Sequence, residues 1–70
     1  MDLTDFIRSE CDHFREECNF TPSERAVFDM RVADDSVVKI SMELNMSESA
    51  VYKRIRRIKK KINKVLEKSK

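Results

Sequence analysis

Residues 36–55, SVVKISMELNMSESAVYKRI, contain two helical patterns separated by a three-residue break. Apolar or small residues recur at the i, i+3, i+4 and i+7 positions of the first pattern: Val37, Ile40, Ser41 and Leu44. This spacing predicts a short helix from Val37 to about Leu44 with one buried face, and Ser36 is placed to cap its start. The break is Asn45-Met46-Ser47, and a second helix follows it.

The second helix is predicted to begin after an N-cap at Ser47 and to continue to about Lys68, which makes it about 30 Å long. Its apolar positions are four and three residues apart, at Val51, Ile55, Ile58, Ile62 and Val65. Ser41 is small enough for the two helices to cross closely, and Asn45 tolerates the left-handed backbone that the turn needs. The sequence therefore predicts a helix-turn-helix, with Val51 packing back onto the first helix.

Upstream of this motif, Thr21-Pro22-Ser23-Glu24 has the sequence of a capping box with proline at the first helical position. The helix that it opens is expected to stop near Asp34-Asp35. Before it, one amphipathic helix is predicted from Asp2 to Cys18, with Asp2 or Thr4 as its cap and Asn19 as a left-handed residue at its end. Its apolar stripe consists of Leu3, Phe6, Ile7, Cys11, Phe14 and Cys18.

The composition supports an all-α fold and excludes several kinds of site. Among its 70 residues the chain has no glycine and one proline, so tight hairpins and glycine-rich phosphate loops are disfavoured. A domain of this size buries only about 60% of its unfolded surface, which leaves little room for a deep cleft. We predict no enzymatic activity, no catalytic residue and no cofactor.

The net charge of +2 hides two opposed halves. Residues 1–35 carry ten acids and four arginines, a net charge of −6, whereas residues 36–70 carry eleven Lys/Arg and three acids, a net charge of +8. This asymmetry points to a polyanionic partner for the second half.

Cys11 and Cys18 are seven residues apart in one predicted helix, too far apart to pair with each other. With His13 they match no zinc pattern, so we expect buried free thiols and no metal. The N-terminus is acidic and no apolar run reaches the length of a membrane span, which predicts a soluble, cytoplasmic protein without membrane contact.

From Phe20 to about Ile62 the sequence resembles the DNA-binding effector domain of the LuxR/NarL response regulators, and it is similar to the fourth region of bacterial sigma factors. The family pattern, L-T-P-R-E-x-x-V-L followed by L-S-x-x-E-I-A-x-x-L-G-I-S-x-x-T-V-K-x-x-L, aligns without a gap to residues 20–28 and 36–55. Asn45 replaces the turn glycine of the pattern, Ser41 its alanine, and Asp34-Asp35 its Gly-Leu.

The helical patterns, together with the resemblance over residues 20–62, predict one all-α domain over residues 1–70, built from four helices. In this arrangement the acidic helix of residues 1–19 packs on a tri-helical helix-turn-helix core, residues 20–70, whose long last helix is the recognition helix. The same acidic helix is expected to cover Val38 and Met42, which form a second stripe on the third helix at positions i and i+4. Whether the covering helix comes from the same chain or from a partner chain stays open at this point.

The recognition helix is expected to read base edges in the major groove with its first turns. Val51 marks the direction of the core. Six residues are rotated about the helix axis by about 100° or more from Val51: Ser49, Tyr52, Lys53, Arg56, Arg57 and Lys60. Of these we predict Tyr52, Lys53 and Arg56 as base readers, with Ser49 secondary, and the base-contacting positions of the family fall on the same three residues. A guanidinium at Arg56 suits guanine O6 and N7.

The other cations of the helix and the capping hydroxyls are predicted to contact phosphates. These residues are Ser36, Lys39, Ser47, Arg54, Arg57, Lys59, Lys60, Lys61 and Lys64. Neutralising about six phosphates would give a slope of log K against log salt near −5.

The predicted function is therefore sequence-specific binding of double-stranded DNA in transcription regulation, with a homodimer on a two-fold site as a hypothesis. One alternative is a module similar to sigma region 4 that docks on RNA polymerase or an adaptor through its acidic helix. A second alternative is a coiled coil, because Val51, Ile55, Ile58, Ile62 and Val65 also fit a heptad seam. RNA is a weaker candidate partner, since the chain lacks exposed aromatic platforms.

Overall fold

The computed structural model describes residues 3–68 and has an all-α fold. One turn of 3-10 helix, Leu3–Asp5, precedes four helices: α1 Arg8–Glu17, α2 Pro22–Val32, α3 Val37–Glu43 and α4 Glu48–Lys68. Residues 3–68 contain no β-strand. The bounds of α3 and α4 agree with the prediction to within one residue.

The N-terminal segment differs from the single helix predicted for Asp2 to Cys18. Ile7 is extended, with φ −78° and ψ 166°, so α1 starts only at Arg8. A β-branched residue favours this extended backbone, and the Ile7 N–H donates to Glu10 Oε1 at 3.0 Å, which stabilises the late start. Thr4 lies inside the 3-10 turn and is not the cap of α1, while Asp2 lies outside the described residues.

The break also changes which apolar residues face the core. Leu3 is 1% exposed and Phe6 packs against the core, but Ile7 points outward and is 64% exposed. The prediction that Ile7 belongs to the buried stripe is therefore wrong. The remaining members of that stripe, Cys11, Phe14 and Cys18, are buried as predicted.

The start of α2 has the predicted capping box. The Thr21 Oγ1 accepts from the Glu24 N–H at 3.2 Å, and Glu24 Oε1 accepts from the Thr21 N–H at 3.0 Å. Pro22 occupies the first helical position, where its missing N–H costs nothing. This local signal fixes the start of the helix that packs most extensively on α4.

The core lies between α4 and the elements packed along its apolar side. Val51, Ile55, Ile58 and Ile62 of α4 are buried, and Val65 is half-buried. The rest of the core comprises Leu3, Cys11, Phe14, Cys18, Val27, Phe28 and Ile40.

The cover for the C-terminal half of α4 comes from the same chain. Helix α1 packs against α4, and Arg15 of α1 joins it to α2 by an ion pair with Asp29 at 2.7 Å and by lying over the Phe28 ring at 5.4 Å. Ile58 and Ile62 are fully buried in this packing. The apolar positions of α4 that a coiled coil would bury against a second chain are thus covered by other helices of the same chain.

Helix α3 has an outer face that no other part of the described chain covers. We expected α1 to pack over Val38 and Met42, but these side chains are 53% and 77% exposed. The reason is geometric: they lie on the side of α3 opposite the buried Ile40, whereas α1 packs against α4.

Candidate nucleic-acid interface

The turn between α3 and α4 sets the position at which α4 begins. Asn45 has φ 54°, and the Met46 N–H donates to the Ser41 carbonyl at 2.9 Å, closing the end of α3. The Ser47 hydroxyl then accepts from the Ala50 N–H at 3.1 Å. The predicted left-handed residue and the predicted N-cap are both confirmed, and α4 starts at Glu48.

The corner between α2 and α3 is closed in the same way by a residue that the sequence did not single out for it. Asp34 has φ 67° and donates its N–H to the Arg31 carbonyl at 3.0 Å, while the Asp35 N–H donates to the Met30 carbonyl at 3.0 Å. These two bonds form a Schellman motif. Asp34 thus takes the conformation that glycine has at such helix ends.

The four predicted base readers share the exposed side of the first turns of α4. They are at i, i+3, i+4 and i+7, the spacing of one helical face, and all four are exposed: Ser49, Tyr52, Lys53 and Arg56. Tyr52 is 58% exposed although it is aromatic. Val51 and Ile55 hold the opposite side of these turns in the core.

The exposed face continues toward the C-terminus as a row of cations. Arg57, Lys60 and Lys64 are exposed, and Lys59 is half-buried beside Leu3 and Tyr52. With Lys53 and Arg56 they give α4 a continuous positive surface. Such a surface attracts a polyanion.

The predicted phosphate contacts on α3 and at the start of α4 lie at helix N-termini. Ser36 and Ser47 are exposed, and each hydroxyl accepts a backbone N–H of its own helix. Lys39 pairs with Asp35 at 3.2 Å, with its side chain 57% exposed. An exposed pair of this kind is weak, so Lys39 remains free to exchange Asp35 for another anion.

Two of the predicted phosphate ligands have partners inside the fold. Arg54 donates from Nε to the Ser23 hydroxyl of α2 at 3.2 Å. Lys61 forms an ion pair with Glu24 and also donates to the Asn19 carbonyl at 3.3 Å. Both cations lie on the side of α4 that packs against α2, away from Tyr52 and Arg56.

Sequence reasoning identified Glu24 as a capping residue but missed its second role. Glu24 is 3% exposed, and such burial raises the pKa of its carboxyl. The hydrogen bonds from Lys61 and Thr21, together with the charge of Lys61, outweigh burial and hold that pKa below its ordinary value. One buried carboxylate therefore links the start of α2 to α4.

An open groove of about 530 Å³ follows this contact along the C-terminal half of α4. Its lining is mostly cationic, with Glu24, Arg57, Lys60, Lys61, Asn63, Lys64 and Glu67.

Within residues 3–68, no three His, Cys, Asp or Glu side chains come together as metal ligands. Cys11 and Cys18 are buried free thiols, and burial raises the pKa of both.

Comparison with known families matches residues 18–65 to the family described as bacterial regulatory proteins, luxR family. The chain belongs to this family. The match covers more than half of the sequence, including all of α2 and α3 and most of α4. Comparison with curated proteins found no match, and comparison with solved structures found none.

Membership of the LuxR family establishes a DNA-binding domain of the kind found in transcription regulators. Helices α2 to α4 form its helix-turn-helix core, whereas the 3-10 turn and α1 precede the matched residues. None of the helices in the described part of this LuxR-family chain has the length and apolarity to cross a membrane.

Proposed function

We propose that this LuxR-family domain binds double-stranded DNA sequence-specifically by placing the first turns of α4 in the major groove. The observation that carries the proposal is the exposed row of Ser49, Tyr52, Lys53 and Arg56 on the helix that follows the turn. A helix in the major groove presents such N-terminal side chains to base edges. A protein that binds DNA in this way would act in the cytoplasm, where bacterial DNA lies.

Each of these side chains has a chemistry that suits a base edge. The Arg56 guanidinium can donate to guanine O6 and N7 together, and Lys53 can donate to the same acceptors. Tyr52 and Ser49 add hydroxyls that can donate or accept, and the Tyr52 ring can pack against a thymine methyl group. Arg56 is therefore expected to contribute most to the choice of base.

The phosphate contacts are assigned to exposed groups on either side of this row. The cations proposed to contact the phosphates of the DNA backbone are Lys39, Arg57, Lys60 and Lys64, together with the half-buried Lys59. Lys61 forms an ion pair with the buried Glu24, so we do not count Lys61 among the phosphate ligands. The remaining set is large enough for a steep dependence of affinity on salt.

A homodimer on a two-fold DNA site is part of the proposal, because a module of this size supplies few base contacts alone. The packing of α1 on α4 buries Ile58 and Ile62, so a dimer would not form through that seam. We expect association to depend on adjacent half-sites in the DNA.

The proposal is tested by three single substitutions on α4. Lys53→Ala and Arg56→Ala should each weaken binding to a preferred DNA site by about 1–3 kcal/mol and relax base preference at defined positions. Lys64→Ala is the matched control, an exposed lysine on the same helix. It should weaken binding to all sequences alike, measured by fluorescence anisotropy.

Equal effects of all three substitutions would indicate non-specific binding and contradict the assignment of base readers. Absence of any DNA binding at low salt would contradict the whole proposal. In that case the protein-docking alternative, with RNA polymerase or an adaptor as partner, would become the leading explanation of the fold.

A further inference from the structure

Arg54 lies on the flank of α4 that faces the start of α2, and one hydrogen bond ties it to that helix. Its Nε–H donates to the Ser23 hydroxyl at 3.2 Å, joining residues 31 positions apart. The Ser23 Oγ also lies 3.5 Å from Thr21 Oγ1, the oxygen that caps α2. The guanidinium is therefore anchored to a hydroxyl at the capped first turn of α2.

This bond leaves most of the hydrogen-bonding capacity of Arg54 unused. A guanidinium has five N–H donors, and four of them are on its two terminal nitrogens. Within residues 3–68, the ion pairs join Arg15, Lys39 and Lys61 to carboxylates, and none involves Arg54. Its charge is thus held in place but not neutralised.

The position of Arg54 suits a phosphate on the flank of α4 that faces α2, beyond Lys53 and Arg57 and away from Tyr52 and Arg56. It directly follows Lys53 and is three residues before Arg57, both exposed on the positive side of α4. A phosphate oxygen pair accepts two parallel N–H groups from an arginine, a geometry that needs the guanidinium plane to be fixed. The bond at Nε supplies that restraint.

We propose that Ser23 is a positioning residue, which orients the Arg54 guanidinium so that its terminal N–H groups bind one phosphate of the DNA backbone. This inference rests on the proposed DNA binding and adds to it the residue that orders one phosphate contact. Ser23 stands where the family pattern aligned above has arginine.

The expected size of the effect follows from the freedom that Arg54 would regain without Ser23. Ordering one long side chain at an interface changes affinity by roughly 3- to 10-fold. Ser23→Ala should therefore weaken DNA binding by about this factor, at any DNA sequence, because phosphates carry no base identity. Ser23→Thr keeps the hydroxyl and should bind like the unmodified chain.

The test is a double-substitution cycle measured by fluorescence anisotropy with a mixed-sequence DNA duplex at low salt. The variants are Ser23→Ala, Arg54→Ala and the combination of both, with Ser9→Ala as control. Ser9 is the second residue of α1 as Ser23 is of α2, and it is exposed. We expect Ser23→Ala to have no further effect once Arg54 is alanine, and Arg54→Ala to make the salt slope shallower by about 1.

Several results would overturn the inference while leaving DNA binding intact. They are equal affinity of Ser23→Ala and the unmodified chain, independent effects of the two substitutions, or failure of Ser23→Thr to bind normally. A melting temperature of Ser23→Ala far below that of Ser9→Ala would show a structural role instead. If the unmodified chain does not bind the duplex at all, the proposed function fails, and this inference fails with it.

Discussion

Among residues 3–68, three residues adopt positive φ, and they follow α1, α2 and α3 in a chain that has no glycine. Asn19 has φ 52°, Asp34 φ 67° and Asn45 φ 54°. Side chains of Asn and Asp tolerate this left-handed region better than other residues with a Cβ atom. Two of the three were predictable because they are asparagines after helical patterns. Asp34 was placed only at the end of its helix, together with Asp35, although its alignment with the glycine of the family pattern was a signal for positive φ.

The turn before α4 gives a direct test at Asn45. Asn45→Gly should leave the free energy of unfolding unchanged or raise it by up to about 1 kcal/mol, because glycine adopts the same φ without steric cost. Asn45→Val should lower it by about 1–3 kcal/mol, since a β-branched residue is strained there. Urea denaturation measures both. A stable valine variant would contradict the turn assignment and the start of α4.

Glu24 is a second residue whose environment makes a measurable prediction. Its pKa in the folded chain is below the ordinary value of 4.5, so the unfolded state binds more protons when the pH falls through this range. The contribution of Glu24 to stability is therefore complete above pH 4.5 and is lost as the pH falls through the lowered pKa. Lys61, 33% exposed, is the partner that favours the charged form.

Glu24→Gln should lower the free energy of unfolding by about 1–3 kcal/mol at neutral pH. The difference from the unmodified chain should shrink as the pH falls below 4.5, in urea denaturation at a series of pH values. Glu16→Gln, which changes an exposed carboxylate, is the control and should show a small difference. If the difference in free energy of unfolding between Glu24→Gln and the unmodified chain stays constant down to acidic pH, the lowered pKa of Glu24 is contradicted.

The helices differ in how far local sequence determines them. Helices α2, α3 and α4 each begin at a hydroxyl residue that caps them, and each start was predicted from that signal: Thr21, Ser36 and Ser47. The start of α1 has no such residue. Ile7 is its N-cap and has no side-chain acceptor, so apolar periodicity alone predicted one long helix through the break.

Side-chain contacts between helices were the part of the site that could not be predicted from the sequence. Glu24 and Lys61 are 37 residues apart, and their pairing depends on how α2 packs on α4. Arg54 and Lys61 therefore looked like further exposed cations of one basic helix. By contrast, the exposed row from Ser49 to Arg56 follows from helical periodicity alone, because Val51 and Ile55 fix which side is buried.

The attachment of α1 gives a prediction about the element as a whole. Phe14 is 1% exposed and meets the Phe6 ring edge-on at a centroid distance of 4.8 Å. Phe14→Ala should lower the free energy of unfolding by about 3–5 kcal/mol, a large share of what a domain of this size has. Thermal denaturation of the full chain measures the loss.

Ile7→Ala is the matched control for this prediction. Ile7 is apolar and lies just before α1, but it is 64% exposed. Its substitution should change stability by no more than about 0.5 kcal/mol. A large loss of stability for Ile7→Ala would contradict the observed break before α1 and favour the single predicted helix. A small loss for Phe14→Ala would contradict the burial of α1 in the core.

The molecule as a whole is elongated, 37 × 19 × 19 Å, and its charge is unevenly distributed along the chain. Exposed acids occupy the outer side of α1, at Asp12, Glu16 and Glu17, whereas α4 carries most of the exposed cations. Such a distribution orients the chain in the field of a polyanion before contact. The row of residues proposed to read bases lies on the positive helix, so we expect orientation and recognition to act through the same element.

Selection of bound sites from random duplex DNA by the unmodified chain and by Arg56→Ala tests most directly whether the first turns of α4 read bases. We predict one enriched motif for the unmodified chain, containing a guanine at which Arg56→Ala loses its preference, typically by about 1–3 kcal/mol. A two-fold repeat of that motif would support the dimer. Binding without an enriched motif, or a motif that Arg56→Ala selects unchanged, would contradict base reading by the first turns of α4.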